Sequence, residues 1–251
     1  MYTVRKFLAV AIGFLLWAAT LGDADAAKKI TTVDFRIGYS SATYLAKSNG
    51  FFEKEGLDVN LQRIKSGKYN AIMLGAGESH INLVGAKDLL GLRKNNKMVK
   101  WVYSVANRMT MDFVMNKKTA ERLGLSRDLP IMDRYKALKG LKIGITRRGA
   151  VTDLYTRFYL RKAGLDPDRD ATIIPTGGGA NLLAALKTGQ IDGFMLSPPR
   201  PATAVDAGFG KIIIKSTSGD VPEFKNFAYT MLAAKEGWLK ENGDVTRAYI
   251  R

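Results

Sequence analysis

Residues 171–210, ATIIPTGGGANLLAALKTGQIDGFMLSPPRPATAVDAGFG, decide the fold class of this chain. They hold a short β-branched run, three glycines, an amphipathic run with apolar residues at helical spacing, and a second apolar run that ends at Leu196. This order predicts a βαβ unit of a parallel sheet, whose faces must be covered by helices. Such sheets bind small molecules at the loops that follow the carboxyl ends of their strands. Gly177-Gly178-Gly179 and Ser197-Pro198-Pro199 are two loops of that kind, which indicates ligand binding.

Length and composition indicate a globular protein of two α/β lobes. The chain has 251 residues, of which 46% are hydrophobic and 25% charged, and that length fits two lobes better than one. The sequence contains no cysteine, which excludes disulfides and thiolate metal ligands. Its one histidine, His80, cannot build a multi-histidine metal site. We therefore expect no metal and no cofactor.

The net charge of +16 at pH 7 bears on the kind of partner. A basic excess attracts acidic small molecules or an anionic membrane surface, although a solvated basic surface is the simpler interpretation. A nucleic-acid interface requires basic residues clustered with stacking aromatics, whereas the lysines and arginines here are spread along the whole chain. We expect no nucleic-acid partner.

Residues 1–26 have the pattern of a cleaved signal peptide. Arg5 and Lys6 precede an apolar run at residues 7–20, and Ala24-Asp25-Ala26 supplies a small-x-small cleavage site. The apolar run is shorter than the roughly 20 residues that a membrane-spanning helix needs. We expect cleavage after Ala26 and a mature protein in the periplasm, and an uncleaved membrane anchor is the alternative.

Repeated βα units divide the remaining chain into two lobes. The first lobe is expected to take residues 27–115 and 220–251, and the second to take residues 116–219. Crossings near Asn116 and near Gly219 would form a hinge on which two rigid lobes close. Strands are predicted at residues 34–39, 57–64, 81–84, 99–106, 112–116, 141–146, 211–216 and 228–234. Helices are predicted at residues 43–56 and 151–163, and shorter ones from Gly67 and from Asp88. The uncapped helical pattern at residues 245–251 predicts a truncated first lobe.

Four segments carry a family resemblance: residues 44–59 (YLAKSNGFFEKEGLDV), 138–145 (LKGLKIGI), 183–193 (LAALKTGQIDG), and 197–199 (SPP) followed by Ala207-Gly208. They resemble the ABC-transporter substrate-binding proteins of the nitrate, taurine, alkanesulfonate and thiamine-pyrimidine-precursor group. The resemblance covers residue 34 to about residue 235. It implies a two-lobed, type II periplasmic-binding-protein-like α/β fold, ligand capture in the cleft between the lobes, and delivery to a membrane permease.

Two loops offer candidate anion contacts. Arg147 and Arg148 lie between a predicted strand and helix, where a guanidinium and the helix amides can hold a carboxylate or sulfonate. Gly177, Gly178 and Gly179 offer bare amides at a second helix start. The alternatives are a solvent-facing basic turn and a tight turn without a ligand role.

Hydroxyl groups form a second set of candidates. Tyr39, Ser40 and Ser41 follow the first predicted strand, where they could meet a polar head group, although they could also be only the start of the next helix. The resemblance places Ser79 at the cleft edge beside His80, a residue that is more often structural than functional. Ser197 closes the second strand of the βαβ unit. Asp153 and Asp192 are expected to be structural.

The function that these patterns favour is solute binding without catalysis. The ligand is expected to belong to the sulfonate, carboxylate, nitrate or pyrimidine class. A small anion or a solute with an acidic head, held by Arg148 and the amides of residues 177–179, is the favoured interpretation. The expected partner is the membrane permease of an ABC transporter, and the protein is expected to be a monomer. The alternatives are the sensory domain of a signalling protein and a secreted enzyme, in which a cleft serine would depend on His80.

Overall fold

The computed structural model describes residues 26–34, 38–64 and 67–251. The predicted signal peptide lies outside the described residues except for Ala26, and so do residues 35–37 of the first predicted strand. Within the described residues, no helix combines the length and apolar character that crossing a membrane would require.

The first half of the chain and its C-terminal end form one group of strands and helices. The strands pair as a parallel ribbon of β1 (Lys28–Asp34) with β2 (Leu57–Arg63) and as a three-stranded antiparallel sheet. In that sheet β10 (Thr230–Lys235) lies between β3 (Ile81–Gly85) and β4 (Val99–Ala106). Side-chain contacts join the two, because Thr32 Oγ1 donates to the carbonyl of Ile81 at 2.5 Å. The elements are β1 (Lys28–Asp34), α1 (Ser41–Ser48), α2 (Phe51–Lys54), β2 (Leu57–Arg63), α3 (Gly67–Ala76), β3 (Ile81–Gly85), α4 (Ala86–Lys94), β4 (Val99–Ala106), β10 (Thr230–Lys235), α10 (Glu236–Glu241) and α11 (Gly243–Ile250).

The middle of the chain forms a mixed five-stranded sheet in the order β7-β6-β8-β5-β9. The predicted βαβ unit is present, and β7 and β8 both run parallel to β6, which lies between them. The elements are β5 (Asp112–Asn116), α5 (Lys117–Arg122), α6 (Ile131–Lys136), β6 (Lys142–Ile145), α7 (Val151–Lys162), β7 (Thr172–Pro175), α8 (Gly179–Lys187), β8 (Gly193–Leu196), α9 (Arg200–Asp206) and β9 (Gly210–Ile214).

The first strand and the first helix differ from the sequence prediction. β1 takes Lys28–Asp34, so it begins six residues before the predicted strand, and residues 38–40 form a 3₁₀ turn. The sequence pattern did not predict residues 28–33 as a strand because two buried residues of β1, Thr32 and Asp34, are polar. The helix predicted at residues 43–56 is two helices, since Gly50 has a φ of 68° and interrupts it.

Strand β5 was assigned to the first lobe, and its pairing contradicts that assignment. It lies between β8 and β9 in the five-stranded sheet and runs antiparallel to both. The predicted boundary at residues 115/116 therefore cuts a strand of that sheet. The chain passes from one sheet to the other at residues 107–111, between β4 and β5.

The buried apolar residues follow this division. One cluster joins β1, β2, β3, β10 and α11, and includes Phe52 stacked on Tyr249 at 4.8 Å between ring centroids. Another surrounds β5, β6 and α7, and includes Tyr135 stacked on Tyr159 at 4.9 Å. Tyr39 packs against both clusters, so its side chain lies at the junction of the two sheets.

Candidate functional site

The loops at the carboxyl ends of β6, β7 and β8 lie together at one edge of the five-stranded sheet. The amide of Thr176 donates to the carbonyl of Ile145 at 2.9 Å, and that of Gly177 to Thr146 at 3.1 Å. Because these strands are parallel neighbours, Arg147, Arg148, the glycines at 177–179 and Ser197 share this edge, as predicted.

This edge meets a loop of the other sheet. The amide of Gly38, after β1, donates to the carbonyl of Pro198, after β8, at 3.1 Å. The ring of Tyr39 meets the ring of Tyr229 edge to face, with centroids 5.8 Å apart and planes at 87°. Burial raises the pKa of Tyr39 well above its usual value, and the neighbouring Tyr229 and Asp34 raise it further.

The two serines beside Tyr39 have separate surroundings. Ser40 is buried and donates to Asp34 Oδ1 at 2.6 Å, so it ties the 3₁₀ turn at residues 38–40 to the last residue of β1. Ser41 is exposed and donates to the carbonyl of Gly38 at 2.8 Å. A role of either serine in ligand contact stays a prediction.

Ser79 lies away from the predicted edge. It precedes β3, whose carboxyl end is at Gly85, so the location expected from the resemblance is wrong. Its buried hydroxyl accepts from Asn82 Nδ2 at 2.7 Å. His80 accepts the amide of Thr31 on Nδ1 at 2.8 Å, which supports the structural interpretation of the histidine.

The start of α7 is occupied by the protein's own carboxylate. Asp153 accepts the amide of Gly149 at 2.7 Å and the Nε of Arg157 at 2.8 Å. Since Asp153 already meets the positive end of the helix, this terminus is a poorer anion site than the sequence suggested. The expectation that Asp153 is structural agrees with these contacts.

Arg148 reaches the outer edge of the sheet. Its Nη2 donates to the carbonyl of Ile173 on β7 at 3.0 Å, and β7 is an edge strand. The guanidinium of Arg148 therefore already donates a hydrogen bond to the backbone of an edge strand, and fewer of its N–H groups are available to bind a ligand. Arg147 is half-buried in the same loop.

The start of α8 differs from that of α7, because its first turn follows Gly178, which supplies no capping side chain. Gly177 has a φ of 93°, a backbone conformation that favours glycine. The stem of Arg200 packs against Gly179, since a Cβ on that glycine would lie 3.3 Å from Arg200 Cγ. The amides of Gly178 and Gly179 thus lie beside the side chain of Arg200 at this helix start. The expectation of a bare amide at Gly177 is wrong, because that amide donates to the carbonyl of Thr146.

Arg200 was missed by reasoning from the sequence. A signal for it was present, because Arg200 directly follows the loop Ser197-Pro198-Pro199 and begins α9. The sequence alone does not predict that Arg200 contacts Gly179, which belongs to the preceding helix.

Hydroxyl groups converge where β8 ends. Ser197 Oγ and Thr110 Oγ1 are 2.8 Å apart. Burial raises the pKa of the neighbouring Tyr229 above its usual value, against the opposing effect of Ser197 and Thr110. Nearby, Asp112 accepts the amide and the hydroxyl of Thr217, both at 3.0 Å. Burial raises the pKa of Asp112 above its usual value, against the hydrogen bonds from Thr217.

Two surface cavities lie elsewhere, around the five-stranded sheet. One of about 580 Å³ is lined by the start of α5 and the end of α8, and it includes Asn116, Lys117 and Asp192. Asp192 accepts the amide of Lys142 at 2.8 Å, in agreement with its expected structural role. The other cavity, of about 480 Å³, lies between α7 and Phe224.

The chain is similar to a known protein family and to curated binding proteins. The model of the NMT1-like family matches residues 34–251. The binding protein YtlA of Bacillus subtilis (strain 168) is 26% identical over 225 residues, which are 89% of this chain and 63% of that protein. The nitrate/nitrite binding protein NrtA of Nostoc sp. (strain PCC 7120) is 26% identical over 249 residues, which are 93% of this chain and 55% of that protein. The chain thus spans 55% to 63% of the length of these two curated relatives.

Solved structures agree with the predicted fold class. The periplasmic nitrate-binding protein NrtA from Synechocystis PCC 6803 superposes with a TM-score of 0.69 at 16% identity, covering 89% of this chain and 60% of that one. The aliphatic sulphonate binding protein SsuA from Escherichia coli gives 0.67 at 16% identity, covering 88% and 71%. The fold is a mixed α/β, two-lobed type II periplasmic-binding fold, as predicted. These relatives and neighbours are binding proteins and not enzymes, which agrees with the expectation for this chain.

Proposed function

The chain belongs to the NMT1-like family, and from that premise we propose that it is a solute-binding protein of an ABC importer. It captures a small anionic organic solute between two lobes and delivers it to a membrane permease. It works as a monomer in the periplasm after removal of residues 1–26. The lobes are those expected from the sequence, with the first crossing moved to residues 107–111.

The observation that carries this proposal is the meeting of loops from both sheets. Gly38 follows a strand of one group, Pro198 follows a strand of the other, and the two are hydrogen-bonded. Ligands of open α/β sheets bind outside the carboxyl ends of the strands. A solute held at this junction contacts both lobes at once, so its binding favours the closed arrangement.

The start of α8 supports an anionic solute. The first backbone amides of a helix and its dipole attract negative charge, by about 0.3–1 kcal/mol at an exposed terminus. A hydrogen bond from a guanidinium adds about 1.5–3 kcal/mol. Arg200, which packs on Gly179, is better placed to supply that bond than Arg148, which donates to the carbonyl of Ile173.

A screen followed by calorimetry tests the proposal. Thermal shift against nitrate, alkanesulfonates, aromatic carboxylates and pyrimidines identifies a solute, because a ligand at 100 times its Kd adds about 2.7 kcal/mol of stability. Titration calorimetry with Arg200→Ala should then show about 10- to 100-fold weaker binding, at about 1.4 kcal/mol per decade.

Two further arginine variants serve as matched comparisons. Arg148→Ala should weaken binding less than Arg200→Ala does, and Arg161→Ala, on the exposed face of α7, should leave it unchanged. A neutral pyrimidine as the tightest ligand would reject the anionic solute and leave solute binding intact. A panel without any stabilising compound would count against the function itself.

A further inference from the structure

The turn between α4 and β4 concentrates positive charge on the surface of the first sheet group. Residues 93–101, RKNNKMVKW, hold four cations and no carboxylate, and we call this segment the basic turn. Residues 93–98 are all exposed to solvent. Arg93 Nη1 donates to the carbonyl of Val99 at 3.0 Å, which joins the end of α4 to the start of β4. The cations are therefore held on one short, exposed segment.

Neighbouring carboxylates offset little of this charge. Lys100 pairs with Glu236 at 3.0 Å. Lys94 and Lys97 form no ion pair with any carboxylate of the described residues. Residues 235–241, which contact the basic turn through the Lys100–Glu236 pair, hold two lysines and two glutamates and add no net charge. The turn is thus a positive surface that attracts an anionic partner.

Large apolar side chains are exposed beside these cations. Met98 is 50% exposed within the turn, and Trp101 is 39% exposed at its end. Leu90 is 65% exposed and lies on the same face of α4 as Lys94, four residues further on. Cations beside exposed apolar and aromatic side chains are typical of segments that lie in the interface of an anionic membrane.

The basic turn lies away from the junction of the two sheets. It ends in the first residues of β4, whereas Ala106, the last residue of β4, accepts the amide of Tyr229 at 3.1 Å beside the crossing to the other sheet. Strand β4 separates Lys100 from Ala106 by about 20 Å, at about 3.3 Å per residue. A partner on the basic turn therefore leaves the loops at the junction accessible.

We propose that the basic turn, with Leu90, docks on the anionic phospholipid surface of a membrane. Its cations lie against the lipid phosphates, and Leu90, Met98 and Trp101 enter the region between the head groups. The benefit for transport rests on the proposed function, since docking would keep the protein near its permease. Lipid binding itself needs neither solute nor permease, so the two proposals can fail separately.

Vesicle sedimentation with residues 27–251 measures the docking. Residues 1–26 are omitted because their apolar run would bind lipid by itself. Vesicles that contain phosphatidylglycerol should bind the protein at least about 10-fold more tightly than vesicles of phosphatidylcholine alone. High salt should weaken this binding, because it screens exposed charges.

Two pairs of lysine variants separate the basic turn from the general positive charge of the protein. Lys94→Gln combined with Lys97→Gln should weaken binding to anionic vesicles about 30-fold, or about fivefold for each lysine. Lys117→Gln combined with Lys118→Gln is the matched control, because it removes two exposed lysines from the unit of the five-stranded sheet. The control should weaken binding less than about threefold, since these lysines lie away from the docked surface.

Tryptophan emission reports the contact itself. Trp238→Phe leaves Trp101 as the only tryptophan of residues 27–251. Its emission should shift to shorter wavelength on anionic vesicles and stay unchanged with phosphatidylcholine alone. Circular dichroism establishes that each variant is folded, and if Trp238→Phe is not, the lysine pairs decide.

Three results would overturn the proposal. One is an equal loss of vesicle binding in the two lysine pairs, which would assign the binding to net charge. Another is an unchanged Trp101 emission on anionic vesicles. The third is tighter binding to a DNA duplex than to anionic vesicles at equal phosphate concentration, which would assign the cations to a nucleic acid.

Discussion

At the scale of single residues, Asp220 fixes the segment by which the chain leaves the five-stranded sheet. Its carboxylate accepts Arg127 Nη2 at 2.7 Å, Arg134 Nη1 at 2.6 Å and the amide of Lys215 at 3.0 Å. Burial alone would raise the pKa of Asp220, but the hydrogen bonds from Arg127, Lys215 and Arg134 hold it at about 2. The side chain of Arg134 is only 7% exposed, so its charge depends on this partner.

We predict that Asp220→Asn lowers the free energy of unfolding at pH 7 by at least about 2 kcal/mol, because it leaves a buried guanidinium without a carboxylate. The folded-state pKa of Asp220 lies below the unfolded value of about 3.9. Its contribution is therefore fully present above that value and lost as pH falls through about 2. In urea unfolding, the difference between wild type and Asp220→Asn should shrink by roughly 2 kcal/mol between about pH 5 and pH 2.

Asp168→Asn is the matched control for this prediction. Asp168 accepts from Arg157 at 2.9 Å, but its side chain is 71% exposed. An exposed ion pair contributes less than about 1 kcal/mol, so this variant should unfold close to wild type. A pH-independent difference for Asp220→Asn would contradict the role assigned to its charge.

At the scale of elements, the five-stranded sheet depends on small residues where strands and helices approach closely. Gly193 on β8 faces Phe113 on β5, and a Cβ there would lie 2.7 Å from the ring and 3.0 Å from the carbonyl oxygen of Val114. Phe113 is fully buried, so its ring has no open space in which to yield.

We predict that Gly193→Ala destabilises the protein by about 1–3 kcal/mol through overpacking at the β5–β8 contact. Chemical denaturation followed by circular dichroism measures the effect. Gly91→Ala is the control, since Gly91 lies on the exposed face of helix α4, and an added Cβ would have no atom within 4 Å apart from its chain neighbours and its own helix backbone. Alanine is favoured over glycine in helices, so that variant should be as stable as wild type or more so. Equal stability of Gly193→Ala and wild type would show that the contact is looser than described.

Local sequence patterns predicted which helices and strands form better than they predicted how these elements pair in space. The unit β7-α8-β8 was predictable because β-branched runs, Gly177 and a helical period all lie within one short segment. The position of strand β1 was predicted wrongly because its buried Thr32 and Asp34 are polar. Their hydrogen-bond partners cannot be predicted from a local sequence pattern. β5 was assigned to the wrong lobe because its antiparallel partners β8 and β9 lie far away in the sequence.

The candidate site shows the same limit. The edge shared by Arg147, Gly178 and Ser197 followed from the rule for parallel strands. The engagement of Arg148 with Ile173, and the packing of Arg200 on Gly179, depend on side-chain directions between elements. Reasoning from sequence therefore located the loops and did not rank the arginines within them.

At the scale of the whole molecule, we propose that one solute binds between two lobes whose loops meet at the carboxyl ends of their strands. The family match over residues 34–251 and the superposition on two-lobed binding proteins support the fold in which such a site forms. The contact of Gly38 with Pro198 brings the two sets of loops together. Solute binding by this arrangement predicts that both sets respond to the ligand together.

Hydrogen–deuterium exchange with and without the solute found by thermal shift tests this claim most directly. Saturating solute should slow exchange in residues 38–41 of one lobe and in residues 176–182 and 197–203 of the other, with the two regions protected over the same concentration range. The cavity around Asn116 and Lys117 should be unaffected. Protection confined to one lobe, or centred on that cavity, would contradict binding between the lobes.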